Sequence, residues 1–202
     1  MSRRIVLGVL LWIGLALAGV LRLAAFDTTP GALGPLRMDW PKDSALQPAG
    51  PTLLLFLHGK CPCSMASLSE LEQILARHRG PLSVHVFVFR PRAPALHWTE
   101  TSLWKRVSEL PGVQAHWDDD GTEARRFGAL TSGEALLWGA RGRLLFRGGI
   151  TPWRGHAGEN AGRATILALL ETESAAIRST SVYGCPITGT DRARGSAATE
   201  KP

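Results

Sequence analysis

The stretch "HGKCPCSM", His58 to Met65, holds two of the chain's three cysteines, separated by one proline. Thiols this close, behind an apolar run and ahead of a helical pattern, are placed for sulfur chemistry. In disulfide exchange the thiolate is the nucleophile, and its abundance at neutral pH depends on what stabilises its charge. The unsatisfied N–H groups of a helix start supply about half a positive charge. Cys61 thus has the position of a low-pKa nucleophile, and Cys63 that of a resolving thiol. Lys60 would add positive charge, and His58 would add more or act as a base. Pro62 suits a helix start because it has no N–H to leave unpaired. Cys61, preceding the helix, is expected to be exposed. A Cys61–Cys63 bond is feasible but strained, because residues two apart have Cα atoms roughly 5.5–7 Å apart, at the upper edge of disulfide geometry.

The third sulfur is Cys185, in "SVYGCPI". Val182, Tyr183 and Ile187 make this a small apolar island in a polar tail, able to fold back on a domain. Gly184 and Pro186 would turn the backbone to present the sulfur. Cys185 then pairs with Cys61 or with Cys63, either as a relay in the exchange or as a staple for the tail. A staple closing so long a loop stabilises by about 3–5 kcal/mol.

The elements that must position these residues follow from the hydrophobic pattern. "PTLLLFLHG" is a short continuous apolar run, the mark of a buried central strand over about Thr52 to Leu57. From Ser64 to His78, Met65, Leu68, Leu71, Ile74 and Leu75 recur at helical spacing, with Glu70 and Glu72 on the other side. "LSVHVFVFR" reads as a second strand, "TETSLWKRVSEL" as a helix capped by Thr99, and "GVQAHW" as a third strand. "DDDGTEARRFG" gives a turn and a short helix, with Asp118 to Asp120 as a solvated strand end; it lacks the ligand spacing of a calcium loop. "EALLWGARGRLLFRGGI" is a hairpin. "ENAGRATILALLETE" is a last helix, with Glu159-Asn160 as its cap. Early alternation of strand and helix argues for parallel strands with crossovers, and the late hairpin for an antiparallel edge, so the sheet is mixed.

At the N-terminus, Ile5 to Leu21 carries no charge, and seventeen residues at about 1.5 Å each span roughly 25 Å, the lower limit for a bilayer. Arg3 and Arg4 before it keep the N-terminus cytoplasmic, so everything after Arg22 is exported. Residues 1–25 are therefore an anchor or a signal segment. "LRLAAF" lacks a clean small-x-small cleavage site, which favours the anchor. Residues 26–50, rich in Pro and Gly, read as an extended linker, with Trp40-Pro41 holding it near the domain. Residues 51–173 form the domain, and 174–202 a C-terminal tail. The net charge of +6 is spread over single arginines without interleaved aromatics, so nucleic acid is not an expected partner. Three cysteines are too few and too odd a number for a stapled secreted domain.

With these segments in order, the middle of the chain resembles a thioredoxin-like fold: α/β, a mixed sheet flanked by helices, here with an N-terminal transmembrane helix. "HWDDDGTEARRFGALTSGEALLWGARGRLLFRGG" resembles the thioredoxin run of acidic strand end, short helix, "FG", turn and hairpin. "CPCSMASLSEL", "TSGEALL", "FRGGIT", "RGHAGENAGR" and "YGCPI" together resemble the RedB-like group of membrane-anchored bacterial thioredoxin-like proteins. The resemblance implies a thiol–disulfide oxidoreductase in the bacterial inner membrane, single-pass with a periplasmic domain, acting on exported protein thiols or disulfides without a cofactor. Two departures stand out. The spacing is Cys-x-Cys rather than Cys-x-x-Cys. The slot of the family's substrate-gripping cis-proline falls on Gly133, beside Ser132 and Thr131. The loop "TPWRGHAGEN" borders the active cysteines in this fold, so Trp153, Arg154 and His156 are expected to face them. The alternative is a thioredoxin-fold copper-binding protein or chaperone, with His58, Cys61, Cys63 and Cys185, or His156, as ligands for Cu(I) or Zn(II). A peroxidase reading fails, because His58 and Lys60 stand where a Thr-x-x-Cys motif needs threonine.

Overall fold

The computed structural model describes residues 2–48, 50–92, 98, 101–172 and 178–188. Its centre is β1, Thr52–His58, in which all seven residues are buried. A strand that is apolar at every position needs cover on both faces, so it takes the middle of the sheet. The strands run in the order β3 (Val113–Asp119), β2 (Ser83–Arg90), β1, β4 (Glu134–Trp138), β5 (Leu144–Gly149). Neighbours are parallel from β3 to β1 and antiparallel from β1 to β5. The topology is that of a thioredoxin-like mixed sheet.

The period-two alternation of side chains divides the core in two. Leu53, Leu55 and Leu57 face α2 (Cys63–Arg77), α3 (Ser102–Glu109) and α5 (Ala161–Thr172), meeting Leu68, Leu71, Val107 and Ile166. Leu54 and Phe56 face the other way, toward Phe127 of α4 (Thr122–Phe127), Trp138 and Ile187 of the tail.

Several local expectations change in the fold. Glu70, assigned to the outer face of α2, is 1% exposed. Its carboxylate pairs with Arg163 and accepts from Gly158 N at 2.6 Å and Asn160 Nδ2 at 3.1 Å. A buried carboxylate is tolerated here because both of its oxygens find donors. Asp118 is likewise buried, not solvated, and receives the N–H groups of Glu123 at 2.8 Å and Ala124 at 3.0 Å, closing the start of α4. Burial raises its pKa, and those two N–H groups oppose the shift. The cap of α3 is Thr101, whose Oγ1 accepts from Trp104 N at 3.2 Å; Thr99 lies outside the described residues. Asn160 caps α5 by accepting from Arg163 N at 2.8 Å.

The N-terminal helix α1, Arg3–Thr28, is long and apolar enough to cross a membrane, and none of its residues is buried. It runs past Leu21, and its last turn is tied to the domain. Arg154 donates from its backbone N to Asp27 O at 3.1 Å and from Nε to Phe26 O at 3.0 Å, with its guanidinium 4.7 Å from the Phe26 ring centre. The following segment is docked rather than loosely extended. Trp40 packs edge-on against Phe127 and Trp138 at 5.0 and 5.2 Å, and Ser44 Oγ donates to Glu123 Oε2 at 2.8 Å. Trp40 thus fastens the linker to the domain, as its position next to Pro41 suggests.

Candidate active site at the start of the second helix

The site begins where β1 ends. After His58 the chain turns through Gly59 and Lys60, and Cys61 N donates back to His58 O at 2.9 Å. Ser64 N reaches Cys61 O at 3.1 Å, and α2 starts at Cys63. Pro62 has no N–H, so the first donor of this helix start is the N–H of Cys63, and it points at the Cys61 sulfur.

The third sulfur arrives on the tail. Arg147 N donates to Arg178 O at 3.1 Å and Thr180 N to Arg147 O at 3.4 Å, laying residues 178–180 beside β5. Farther on, Ser132 N donates to Cys185 O at 2.8 Å and Ile187 N to Leu130 O at 2.9 Å. Val182 and Ile187 are 1% and 2% exposed, so the tail is held by side-chain burial as well as by backbone pairing. Gly184 lies so close to the Ser132 carbonyl that a Cβ there would overlap the oxygen. The result is that Cys61 Sγ and Cys185 Sγ lie 2.9 Å apart.

Charge is divided unequally among the three thiols. Cys61 is lowered from 9.0 to about 5, chiefly because Cys185 donates its S–H to it. Burial opposes this, and the N–H groups of Cys185 and Cys63 and the Cys63 thiol reinforce it. Cys63 is raised, first by burial and then by the negative Cys61 beside it, with Arg154 opposing. Cys185 is raised because it is the donor to Cys61, and further by burial; Arg154 again opposes. The arrangement holds one thiolate, Cys61, between two thiols.

The other expected residues fall as follows. His58 is buried, its ring stacked on Phe89 at 5.2 Å, with Nδ1 accepting the Lys60 N–H at 3.2 Å. Lys60 sets its ammonium 4.0 Å from the Trp98 ring centre. The group that depresses Cys61 most is the Cys185 sulfur, with backbone donors of Cys185 and Cys63 and the Cys63 thiol adding to it. Cys61, expected to be exposed, is 4% exposed and Cys63 is 7%, because the tail covers the turn. Cys185 is the partly exposed cysteine of the three. Gly133 has φ +93°, and its N–H donates to Phe56 O at 2.7 Å. No peptide bond among the described residues is cis. Within the active-site loop, His156 is exposed and bonded through Nδ1 to Arg154 O at 2.6 Å. Arg154 is the member whose charge reaches Cys63 and Cys185, and its Nη1 donates to Gly184 O at 2.5 Å. Among the described residues no group of three or more His, Cys, Asp or Glu side chains is arranged to hold a metal ion.

Ser132, beside the Gly133 slot, has a role in the fold that its residue type does not announce. Ser132 accepts from His58 N at 2.9 Å, lies 2.9 Å from Ser64 Oγ, and holds Cys185 through its own N–H. Ser64 Oγ in turn donates to His58 O at 2.9 Å. These two buried serines lock the end of β1 to the loop before β4, and only the strand pairing brings them together.

No protein-family model matches the chain, and no curated protein matches it. Solved structures do. A hypothetical protein of Sinorhizobium meliloti superposes with a TM-score of 0.55 at 19% identity, over 81% of this chain and 96% of that one. An uncharacterised conserved protein of Geobacillus kaustophilus gives 0.55 at 17% identity, over 79% and 91%. A secreted Mycobacterium tuberculosis disulfide oxidoreductase homologous to E. coli DsbE gives 0.41 at 13% identity, over 60% and 81%. The chain has a thioredoxin-like fold, carrying three thiols at the end of its central strand.

Proposed function

We propose that this protein is a membrane-anchored, extracytoplasmic thiol–disulfide oxidoreductase acting on protein thiols or disulfides. The observation that carries the reading is the 2.9 Å approach of Cys61 to Cys185, with Cys61 held as the thiolate. A stabilised thiolate against a second thiol is the reduced half of a disulfide couple. Cys61 and Cys185 are the exchanging pair, with Cys61 the stabilised thiolate. Cys63, the resolving thiol of a Cys-Pro-Cys mechanism, takes a supporting place as a donor to the thiolate. The apolar α1 and the basic residues before it support an inner-membrane anchor with the domain on the periplasmic side.

Reduction of insulin disulfides by the full chain tests this. Cys61→Ser is expected to abolish turnover while the far-ultraviolet circular dichroism stays unchanged. Unchanged turnover in that variant removes the assignment. In the alternative, His58, Cys61, Cys63 and Cys185 bind Cu(I). The stacked His58 ring, with Nδ1 engaged by the Lys60 N–H, favours the redox reading. Anaerobic Cu(I) titration of the reduced protein is expected to show no tight stoichiometric uptake.

A further inference from the structure

The three sulfurs differ in access, and the order is the reverse of what a reactive thiol at a helix start leads one to expect. Cys61 and Cys63 are buried, whereas Cys185 is partly exposed next to the exposed Pro186. The Cys185 backbone is fixed on both sides. The Gly184 carbonyl is held by Arg154 Nη1, the Cys185 carbonyl by Ser132 N, and Ile187 by Leu130 O. Its sulfur therefore caps that of Cys61 in a defined position. Thiol–disulfide exchange is an in-line displacement: the incoming thiolate approaches the struck sulfur from the side away from the leaving one, and access decides which sulfur is struck. The Cys61 residue is 4% exposed, whereas Cys185 is partly exposed, so of the bonded pair Cys185 offers the readier approach.

We propose that Cys185, and not the helix-start Cys61, is the sulfur that forms the mixed disulfide with a partner, Cys61 being the leaving group. This rests on the redox reading above. In the oxidised protein, with Cys61 and Cys185 bonded, a partner thiolate attacks Cys185 Sγ. A partner–Cys185 bond forms, the Cys61–Cys185 bond breaks, and the electron pair departs on Cys61. There it is received by the N–H and S–H of Cys63. A second partner thiolate then attacks the partner's own sulfur, and Cys185 leaves and takes up a proton. The partner dithiol becomes a disulfide, and the Cys61–Cys185 disulfide becomes one thiolate and one thiol. Of the two partner protons, one ends on Cys185 and one in water. With a partner disulfide the same steps run backwards. The low pKa of Cys61 suits a leaving group, since the better-stabilised thiolate departs faster.

The test uses the oxidised full chain in detergent, first mapped to confirm the Cys61–Cys185 bond. Absence of that bond overturns both this proposal and the redox reading, whereas its presence confines the rest of the experiment to the proposal. The protein is pulsed with reduced glutathione, quenched in acid, unfolded and capped with N-ethylmaleimide, and the modified peptides are read by mass spectrometry. The expected product carries glutathione on Cys185 and maleimide on Cys61, at least tenfold over the reverse. Glutathione found mainly on Cys61 or Cys63, or no adduct at any time, overturns the proposal.

Discussion

Cys61 Sγ lies 2.9 Å from Cys185 Sγ, a residue 124 positions later in the chain. The contact joins the start of α2 to a tail that the sheet itself holds in place. The contact lowers the pKa of Cys61 and raises that of Cys185, so the two sulfurs set each other's protonation.

The first prediction concerns that coupling. Ultraviolet thiolate absorbance of the reduced protein is expected to titrate with a midpoint near pH 5, from Cys61. Cys185→Ala removes the largest cause of the shift and moves the midpoint up, while Cys185→Ser, which keeps a donor, moves it less. Because the folded pKa lies below the unfolded value, the stabilisation is complete above about pH 9 and is lost as pH falls through about 5. An unmoved midpoint in Cys185→Ala would rule out the S–H donation.

Gly184 sets how closely the tail approaches. A Cβ at this position meets the Ser132 carbonyl oxygen, which is backbone and cannot swing aside as a side chain could. Gly184→Ala should destabilise the protein by about 1–3 kcal/mol, the range for overpacking. It should also slow formation of the Cys61–Cys185 disulfide, because the sulfur is carried back with the tail. Denaturant melts and air-oxidation rates read the two effects separately.

Glu70 and Arg163 form a buried pair that also holds the loop carrying Arg154, through Gly158 N and Asn160 Nδ2. Removing one charge from such a pair costs about 3–5 kcal/mol, since the other stays buried without compensation. Arg163→Met is expected to fall in that range by chemical denaturation. A loss under about 1 kcal/mol, the ceiling for exposed pairs, would show the pair to be hydrated in solution.

His85 and His116 face each other across β2 and β3, with Nδ1 and Nε2 3.0 Å apart. Burial and then the neighbouring charge push His85 down to about 4, and burial lowers His116. A histidine whose folded pKa is depressed leaves the unfolded chain binding more protons, so stability is lost as pH falls from about 6.5 toward 4. His85→Gln is expected to flatten the stability profile in that window by about 3 kcal/mol. Equal slopes in both proteins would place the acid sensitivity elsewhere.

How much of this was legible depends on how local each signal is. The unbroken apolar run of β1, the helical spacing of Leu68, Leu71 and Ile74, and the turn that puts Cys61 before a helix are short-range patterns, and they read directly. The island Val182–Ile187 announced itself by carrying apolar residues in a polar tail. The destination of that island did not. It is set by backbone groups of Leu130 and Ser132, which look the same in any sequence. The burial of Cys61 follows from the same contact. Glu70 and Asp118 were misread because polarity marks a surface only when no buried donor awaits it. Their donors, Arg163 and the N–H groups of α4, come from across a helix pair and from the following turn.

The most direct test of the account is a redox titration of the full chain with mass mapping of each cysteine at every potential. A single two-electron transition is predicted, converting the Cys61 thiolate and the Cys185 thiol together to one disulfide while Cys63 remains alkylatable throughout. A bond between Cys61 and Cys63, or a Cys185 that stays reduced when the other two are oxidised, would contradict it.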